Sequence, residues 1–411
     1  MDERSDTQLQ EWAFGRKLGA DFWGTDTWAT VAILFYRLHR HREWITTDPS
    51  IADLFVMPLV PASPEYRTAT KHPEDFKVAT KTMCDHIFHD QLDLAYHYLN
   101  EESAPRHVFC AVEYTPVLAF CAMAGYSRKP ASHRLLSRMR WFIHEDFELS
   151  RSAPLAYYSS LGLPGSQPVT AVNIPFPSGA AHSVSTLRQA ARGNRPYLLS
   201  FVGSLNGSPE GRAIRTEISR QCATAGSPAC HTLQIRAGMD LASSGATAAY
   251  ELKRQSVFCA EPGGHNRIRK GVVDALLCGC IPVVFLRRRE SRRLWPHHLF
   301  GWRNESMILL RPSRFLGLPR RLGQGRAAER EAYYNRLVSS QAAQGNTLEG
   351  AHTPINLVEL LRQIPPARIA AMQRTIASNA HRLAYMVDDE PGVGDDALDV
   401  TLKSLAFGLP G

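Results

Sequence analysis

Residues 257–285, VFCAEPGGHNRIRKGVVDALLCGCIPVVF, concentrate groups able to hold an anionic, hydroxylated ligand. Gly263 and Gly264 leave the backbone bare where a loop turns into a helix, and the N–H groups of a helix start attract phosphate oxygens. Arg267, Arg269 and Lys270 follow as cations, and a guanidinium can meet a phosphate through two parallel hydrogen bonds. Asp274 stands further along the helix, where its carboxylate can accept hydrogen bonds from ribose hydroxyls. Glu261 and His265 flank the glycines. The spacing is neither GxGxxG nor GxxxxGK[ST], so the usual nucleotide fingerprints are absent. The same residues also suit a capped surface helix with solvated Arg and Lys.

These side chains need a strand, a loop, a helix and a second strand to position them. The apolar runs predict strands over 257–260 and 281–285, a loop over 261–266 and a helix over 267–278. Gly279 stands where a helix-terminating glycine belongs. On that helix Ile268, Val272, Ala275 and Leu276 share the face that packs on a sheet, and Arg267, Lys270, Gly271 and Asp274 share the opposite one. Elsewhere the pattern predicts helix over 7–42, strand over 52–57, helix over 75–100, strand over 106–114, and a strand and loop over 170–179. The polar stretch HSVSTLRQAARGNRP reads as a link. The second half opens on PYLLSFVGSLNG, a strand and loop ending near Gly203, and continues into a helix from about residue 210 that carries Arg215. A basic, loop-rich segment runs over 287–326, and helices are expected over 327–345 and 355–386.

Alternating helices and strands of this kind make a parallel α/β fold, here in two halves facing a cleft. The expected domains are 1–190 and 191–385, followed by a tail over 386–411. The length of 411 residues fits two such domains, and 44% hydrophobic with 21% charged residues is the profile of a globular protein rather than a disordered one. The net charge of +8 and pI of about 9.1 suit an acidic partner: a sugar nucleotide, an anionic polysaccharide, nucleic acid or a membrane face. Arg287–Arg293, RRRESRR, lacks the interleaved aromatics of a nucleic-acid site, so no nucleic-acid partner is expected. Adjacent His297 and His298 point different ways, none of the eight cysteines has zinc-site spacing, and no metal site is expected. Trp295 and Trp302 read as buried aromatics. Candidate disulfides are Cys110–Cys121 and Cys222–Cys230. The start MDERSDTQLQEW is not a signal peptide, and the apolar stretch over 28–36 is too short to cross a bilayer.

The central stretch resembles the signature of the exostosin-like family, glycosyltransferase family 47. The resemblance rests on Phe258-Cys259, Pro262 to Gly264, Asp274-Ala275 and Gly279 to Val283. In the same order along the chain, DPSIADLFVMP (48–58), RHVF (106–109), VNIPFP, PYLLSFVGS with Arg215, and the segment 365–373 resemble further family elements. The resemblance implies a GT-B fold of two Rossmann-like domains with the donor bound by the second. It implies an inverting, metal-independent transfer from a UDP- or GDP-linked sugar to a glycan or glycoprotein acceptor. No cofactor is implied beyond that co-substrate, and the family location is the Golgi membrane or lumen. The donor residues so implied are Gly203, Arg215, Glu261, Gly263, Gly264, His265, Arg267, Arg269, Lys270 and Asp274. Glu113, then His107, are the candidate bases, near the end of a first-domain strand. The sequence departs from the family pattern at Ile268 and Arg269, where hydroxyl residues are usual, and at Gly271, where an Arg is usual. The family's His-Asp pair falls on Glu113-Tyr114. These departures fit an alternative, a non-catalytic glycosyltransferase-like protein acting as a partner subunit or a glycan- or nucleotide-binding protein.

Overall fold

The computed structural model describes residues 6–18, 21–25, 29–48, 50–58, 107–110, 140–143, 170–235, 244–264, 267–318, 329, 332–336, 354–387 and 394–407. They fall into two compact units, one of 1–27 with 175–400 and one of 28–174 with 401–410.

The chain opens with helix α1 (Asp6–Phe14) and an antiparallel pair, β1 (Lys17–Leu18) and β2 (Phe22–Trp23). Helix α2 (Thr30–Arg40) follows, so the helix expected over 7–42 is interrupted by this hairpin. Gly15, at φ +83°, ends α1 in a conformation that side-chain-bearing residues avoid. The smaller unit contains α2 and a four-stranded sheet of β3 (Phe55–Pro58), β4 (His107–Cys110), β5 (Arg140–Ile143) and β6 (Thr170–Asn173). These strands are parallel and lie in sequential order, with Phe55 opposite His107 and Val108 opposite Arg140.

In the larger unit, the stretch read as a link is helix α3 (Val184–Arg192). Ser183 caps it through a reciprocal pair of bonds with Thr186, a hydroxyl in the place usually taken by Glu or Gln. Then come β7 (Tyr197–Gly203), α4 (Pro209–Ala225), β8 (Cys230–Gln234), α5 (Ser244–Arg254), β9 (Ser256–Glu261), α6 (Lys270–Leu277) and β10 (Ile281–Phe285). Short helices α7 (Arg288–Arg292) and α8 (Arg303–Ser306) lead to β11 (Ile308–Leu310) and α9 (Pro312–Phe315). Three more helices, α10 (Leu357–Arg362), α11 (Pro366–Asn379) and α12 (Ala397–Phe407), end the described chain. None of the described helices is long and apolar enough to cross a membrane.

The five strands β7 to β11 form one wholly parallel sheet in the order β8-β7-β9-β10-β11. All five residues of β10 are buried, as expected when a parallel sheet is covered on both faces. Helix α6 buries Val272, Ala275 and Leu276 against this sheet, the face predicted from the spacing. It begins three residues later than expected because Arg267 to Arg269 remain in the loop. Arg195 fastens the other end: its guanidinium donates to the carbonyls of Ala190, Lys253, Ser256 and Cys278. Burial lowers its pKa to about 10.

Two disulfides brace the unit. Cys222–Cys230 joins the end of α4 to β8, as the sequence suggested, and Cys259–Cys280 ties β9 to the residue before β10. Cys121 lies outside the described residues. Trp295 and Trp302 are buried, as expected. His298 is buried too, with Nε2 on the Ala397 carbonyl, and burial first of all lowers its pKa to about 3. Among the described residues no group of His, Cys, Asp and Glu could hold a metal ion.

Candidate active site

Counted within the larger unit, the strand order is 2-1-3-4-5, with its reversal between β7 and β9. In open parallel sheets a ligand binds beyond the carboxyl ends of the strands at that reversal, because the two connections depart to opposite faces and leave a crevice. A pocket of about 450 Å³ lies there. The ends of β7 and β9 supply Gly203, Ser204, Glu261 and Pro262, while α5 and α6 supply Tyr250, Lys253, Lys270, Gly271 and Asp274. Gly24 and Thr25, just past β2, complete its wall.

Backbone contact sets the crevice floor. Ser208 donates its N–H to the Gly264 carbonyl at 2.9 Å, so the loops after β7 and β9 touch main chain to main chain. Arg215 reaches from α4 into the same junction and holds both loops. It donates to the carbonyls of Ser204 (2.6 Å) and Asn206 (2.8 Å) on one side and of Gly263 (3.0 Å) and Pro262 (3.5 Å) on the other. Burial, and then the neighbouring Arg269 cation, lower its pKa to about 10, which leaves it charged at neutral pH. The family element containing Arg215 therefore shapes the crevice by fixing its loops.

The three basic residues of the central stretch have different fates. Arg267 turns out of the pocket to Glu290 (2.6 Å) and Glu210 (3.3 Å), and Tyr334 donates to the same Glu210 at 2.7 Å. Lys270 donates to Asp274 Oδ1 (2.8 Å) and the Tyr250 hydroxyl (3.0 Å). Burial pulls its pKa down, but Asp274 and Tyr250 outweigh burial and the net direction is up. Arg269 is exposed, lines the pocket and has no carboxylate partner among the described residues. Its guanidinium stands beside Gly264, which is buried against the segment after β7; neither Gly263 nor Gly264 is among the residues lining the pocket.

Asp274 also accepts from the Ser178 hydroxyl at 2.5 Å. Both bonds fall on Oδ1, and Oδ2 makes none among the described residues. Glu261 is buried and ion-paired through Oε1 with Lys253, which also donates to the Gly271 carbonyl at 3.0 Å. Burial raises the Glu261 pKa against the pull of Lys253. Burial lowers and the Glu261 and Asp274 carboxylates raise the Lys253 pKa, with a net upward direction. A Cβ on Gly271 would overlap Glu261 Oε2, so a side chain there would have to displace that carboxylate from its place beside Lys253.

Lys253, Tyr250, Ser178 and Thr25 are site residues that the sequence reading missed. His265 and Glu113 lie outside the described residues. His107 opens β4 rather than ending it, so its backbone is at the amino edge of the parallel sheet. Four basic side chains and two carboxylates line the pocket, a balance that favours an anionic ligand carrying hydroxyls.

The strand order and the parallel sheet define a Rossmann-like α/β unit with a pocket at its switch point. Residues 11–309 match the Exostosin GT47 domain family, and the chain belongs to that family. It is 35% identical over 117 residues to "Probable xyloglucan galactosyltransferase GT17" of Arabidopsis thaliana, covering 27% of this chain and 25% of that protein. It is 38% identical over 93 residues to "Xyloglucan-specific galacturonosyltransferase 1" of the same plant, covering 22% of this chain and 13% of that protein. The similarity thus spans about a quarter or less of the relatives' length.

Proposed function

We propose that this protein is a glycosyltransferase that moves a sugar from a UDP- or GDP-linked donor to a glycan or glycoprotein acceptor, with inversion, without a metal ion, and in a GT-B arrangement of two domains. The observation that carries this reading is the switch-point pocket, lined by Arg269, which has no carboxylate partner among the described residues, and by Asp274, whose Oδ2 makes no hydrogen bond among them. The diphosphate lies against Arg269, where the glycine loop ends, and the ribose hydroxyls donate to Asp274. Arg215 acts by holding the two loops. Glu113 takes the acceptor proton, with His107 second because β4 places its backbone at the far edge. The acceptor oxygen then attacks the anomeric carbon from the face opposite the leaving group. The bond from that carbon to the diphosphate oxygen breaks, and its electron pair leaves with the nucleotide, stabilised by Arg269 and the loop N–H groups. The Golgi location belongs to the same proposal. The names of the relatives make UDP-galactose and UDP-galacturonate the first donors to test, with xyloglucan oligosaccharides as acceptors.

Calorimetric titration with UDP and GDP, followed by transfer assays on a donor panel, tests the reading. One nucleotide should bind, and Asp274→Asn and Arg269→Ala should each weaken it by about tenfold while the protein stays folded. Unchanged binding in both variants overturns the site. Binding with no turnover of any donor favours the second reading, a non-catalytic partner subunit, which the internally paired Lys253–Glu261 and Lys270–Asp274 charges also suit.

A further inference from the structure

A second groove of the larger unit lies outside the site just described. It is a shallow, open depression of about 600 Å³, formed where α8 packs against α11. At its rim Phe300 is 58% exposed, one of few large apolar side chains so placed among the described residues. Gly301, next to it, has open space where a Cβ would stand. From α11, Arg374, Thr375 and Ser378 form one stripe at helical spacing, with Asn379 beside them. Glu305 of α8 lines the same depression. Glu305 and Arg374 are both exposed, and neither has an ion-pair partner among the described residues.

We infer that this groove is a carbohydrate subsite that holds a neutral sugar unit of an oligosaccharide. An exposed aromatic face offers a pyranose ring an apolar surface, and the surrounding groups supply both halves of hydroxyl recognition. A carboxylate accepts from paired hydroxyls, a guanidinium donates to others, and the Ser, Thr and Asn side chains do both. The charges cancel, so the groove favours neither a polyanion nor a polycation. Its polar lining does not suit a lipid or an apolar helix. Its residues lie outside the switch-point pocket, so occupancy here leaves the donor site open. An enzyme with such a subsite grips a chain at a sugar remote from the reacting hydroxyl, which raises affinity for long acceptors over short ones.

The choice of a sugar ligand rests on the glycosyltransferase reading, and the test separates the two. Binding of a neutral xyloglucan-derived oligosaccharide, of an oligogalacturonate of similar length and of UDP is measured by calorimetry on the full chain. The wild type should bind the neutral oligosaccharide and discriminate against the acidic one. Phe300→Ala and Arg374→Ala should each weaken that binding by about tenfold, leaving UDP affinity and melting temperature unchanged. A groove role is overturned if the wild type binds no neutral oligosaccharide, if it binds the oligogalacturonate equally well, or if both variants bind like the wild type. It is overturned also if both variants lose oligosaccharide and UDP together. Loss of UDP binding in the wild type, with oligosaccharide binding intact and sensitive to Phe300→Ala, would count against the donor site alone.

Discussion

Lys253→Met removes one member of a buried ion pair and leaves the other in place. Lys253 is 3% exposed and Glu261 6%, so the pair is held largely out of solvent at the wall of the pocket. The next cation acting on Glu261 is Arg215, whose hydrogen bonds are directed at loop carbonyls. Leaving one partner of such a pair uncompensated costs about 3–5 kcal/mol. At about 2–4 °C per kcal/mol for a unit of 150–250 residues, the melting temperature should fall by roughly 6–20 °C. The loss should depend on pH in a defined direction. The Glu261 pKa is already raised above its ordinary 4.5, chiefly by burial, and Lys253 is the main force opposing that rise. Without Lys253 the folded carboxyl holds its proton to higher pH than the unfolded one. The folded state then binds more protons, and stability falls as pH rises from the unfolded value through the folded one. Thermal unfolding across that window should therefore show a steeper decline in the variant than in the wild type. Lys253→Met with Glu261→Gln carries no stranded charge and should recover at least about 1 kcal/mol relative to the sum of the single changes. A single variant that loses less than about 1 kcal/mol, with the pH profile of the wild type, would refute the buried-pair reasoning.

Gly271→Ala should cost about 1–3 kcal/mol by overlap with the Glu261 carboxylate, and Gly271→Arg, the residue the resemblance leads one to expect there, should cost more and weaken UDP binding. Melting curves and UDP titrations of the two variants check this, and a Gly271→Arg protein with higher affinity would contradict it. Changing Cys259 and Cys280 together to Ala should cost about 3 kcal/mol, as expected for opening a loop of this length. Denaturant unfolding measures that loss, and a non-reducing peptide map of the wild type should contain the Cys259–Cys280 linked pair.

The elements around the site were readable because their signals are local. A five-residue apolar run makes β10, a helical stripe makes the buried face of α6, and a glycine at φ +69° closes it at Gly279. Ser208-Pro209 starts α4 in the same way, through a side-chain cap and a proline at the first turn. The fates of the charges were not readable. Arg267, Arg269 and Lys270 look equivalent along the chain, yet their roles are set by Glu290, by the glycine loop and by Asp274 with Tyr250. Lys253 and Ser178 enter from α5 and from the segment after β6, and no local period marks them. Nor does local pattern show that β9 and β10 are neighbours, the fact that turns two motif cysteines into the Cys259–Cys280 bridge. Pro282 pairs with Cys259 across that ladder, so Cys280, two residues before Pro282 on the same face, lies diagonally across from Cys259 with their Cα atoms 5.9 Å apart.

The same distance effect explains the departure at position 271. A pattern written along the chain records a missing Arg. In the fold, Glu261 fills the volume that a side chain at 271 would need, and Lys253 lies on that carboxylate and on the Gly271 carbonyl. Restoring a long side chain at 271 would have to expel Glu261, and expelling Glu261 would strand Lys253. The bare glycine, the buried acid and the lysine are therefore one arrangement, in which Lys253 of α5 adds a positive charge to that of Lys270 from α6. A loss of charge at 271, read from the motif alone, understates the basic character of the crevice by the one residue that lies eight positions upstream of Glu261.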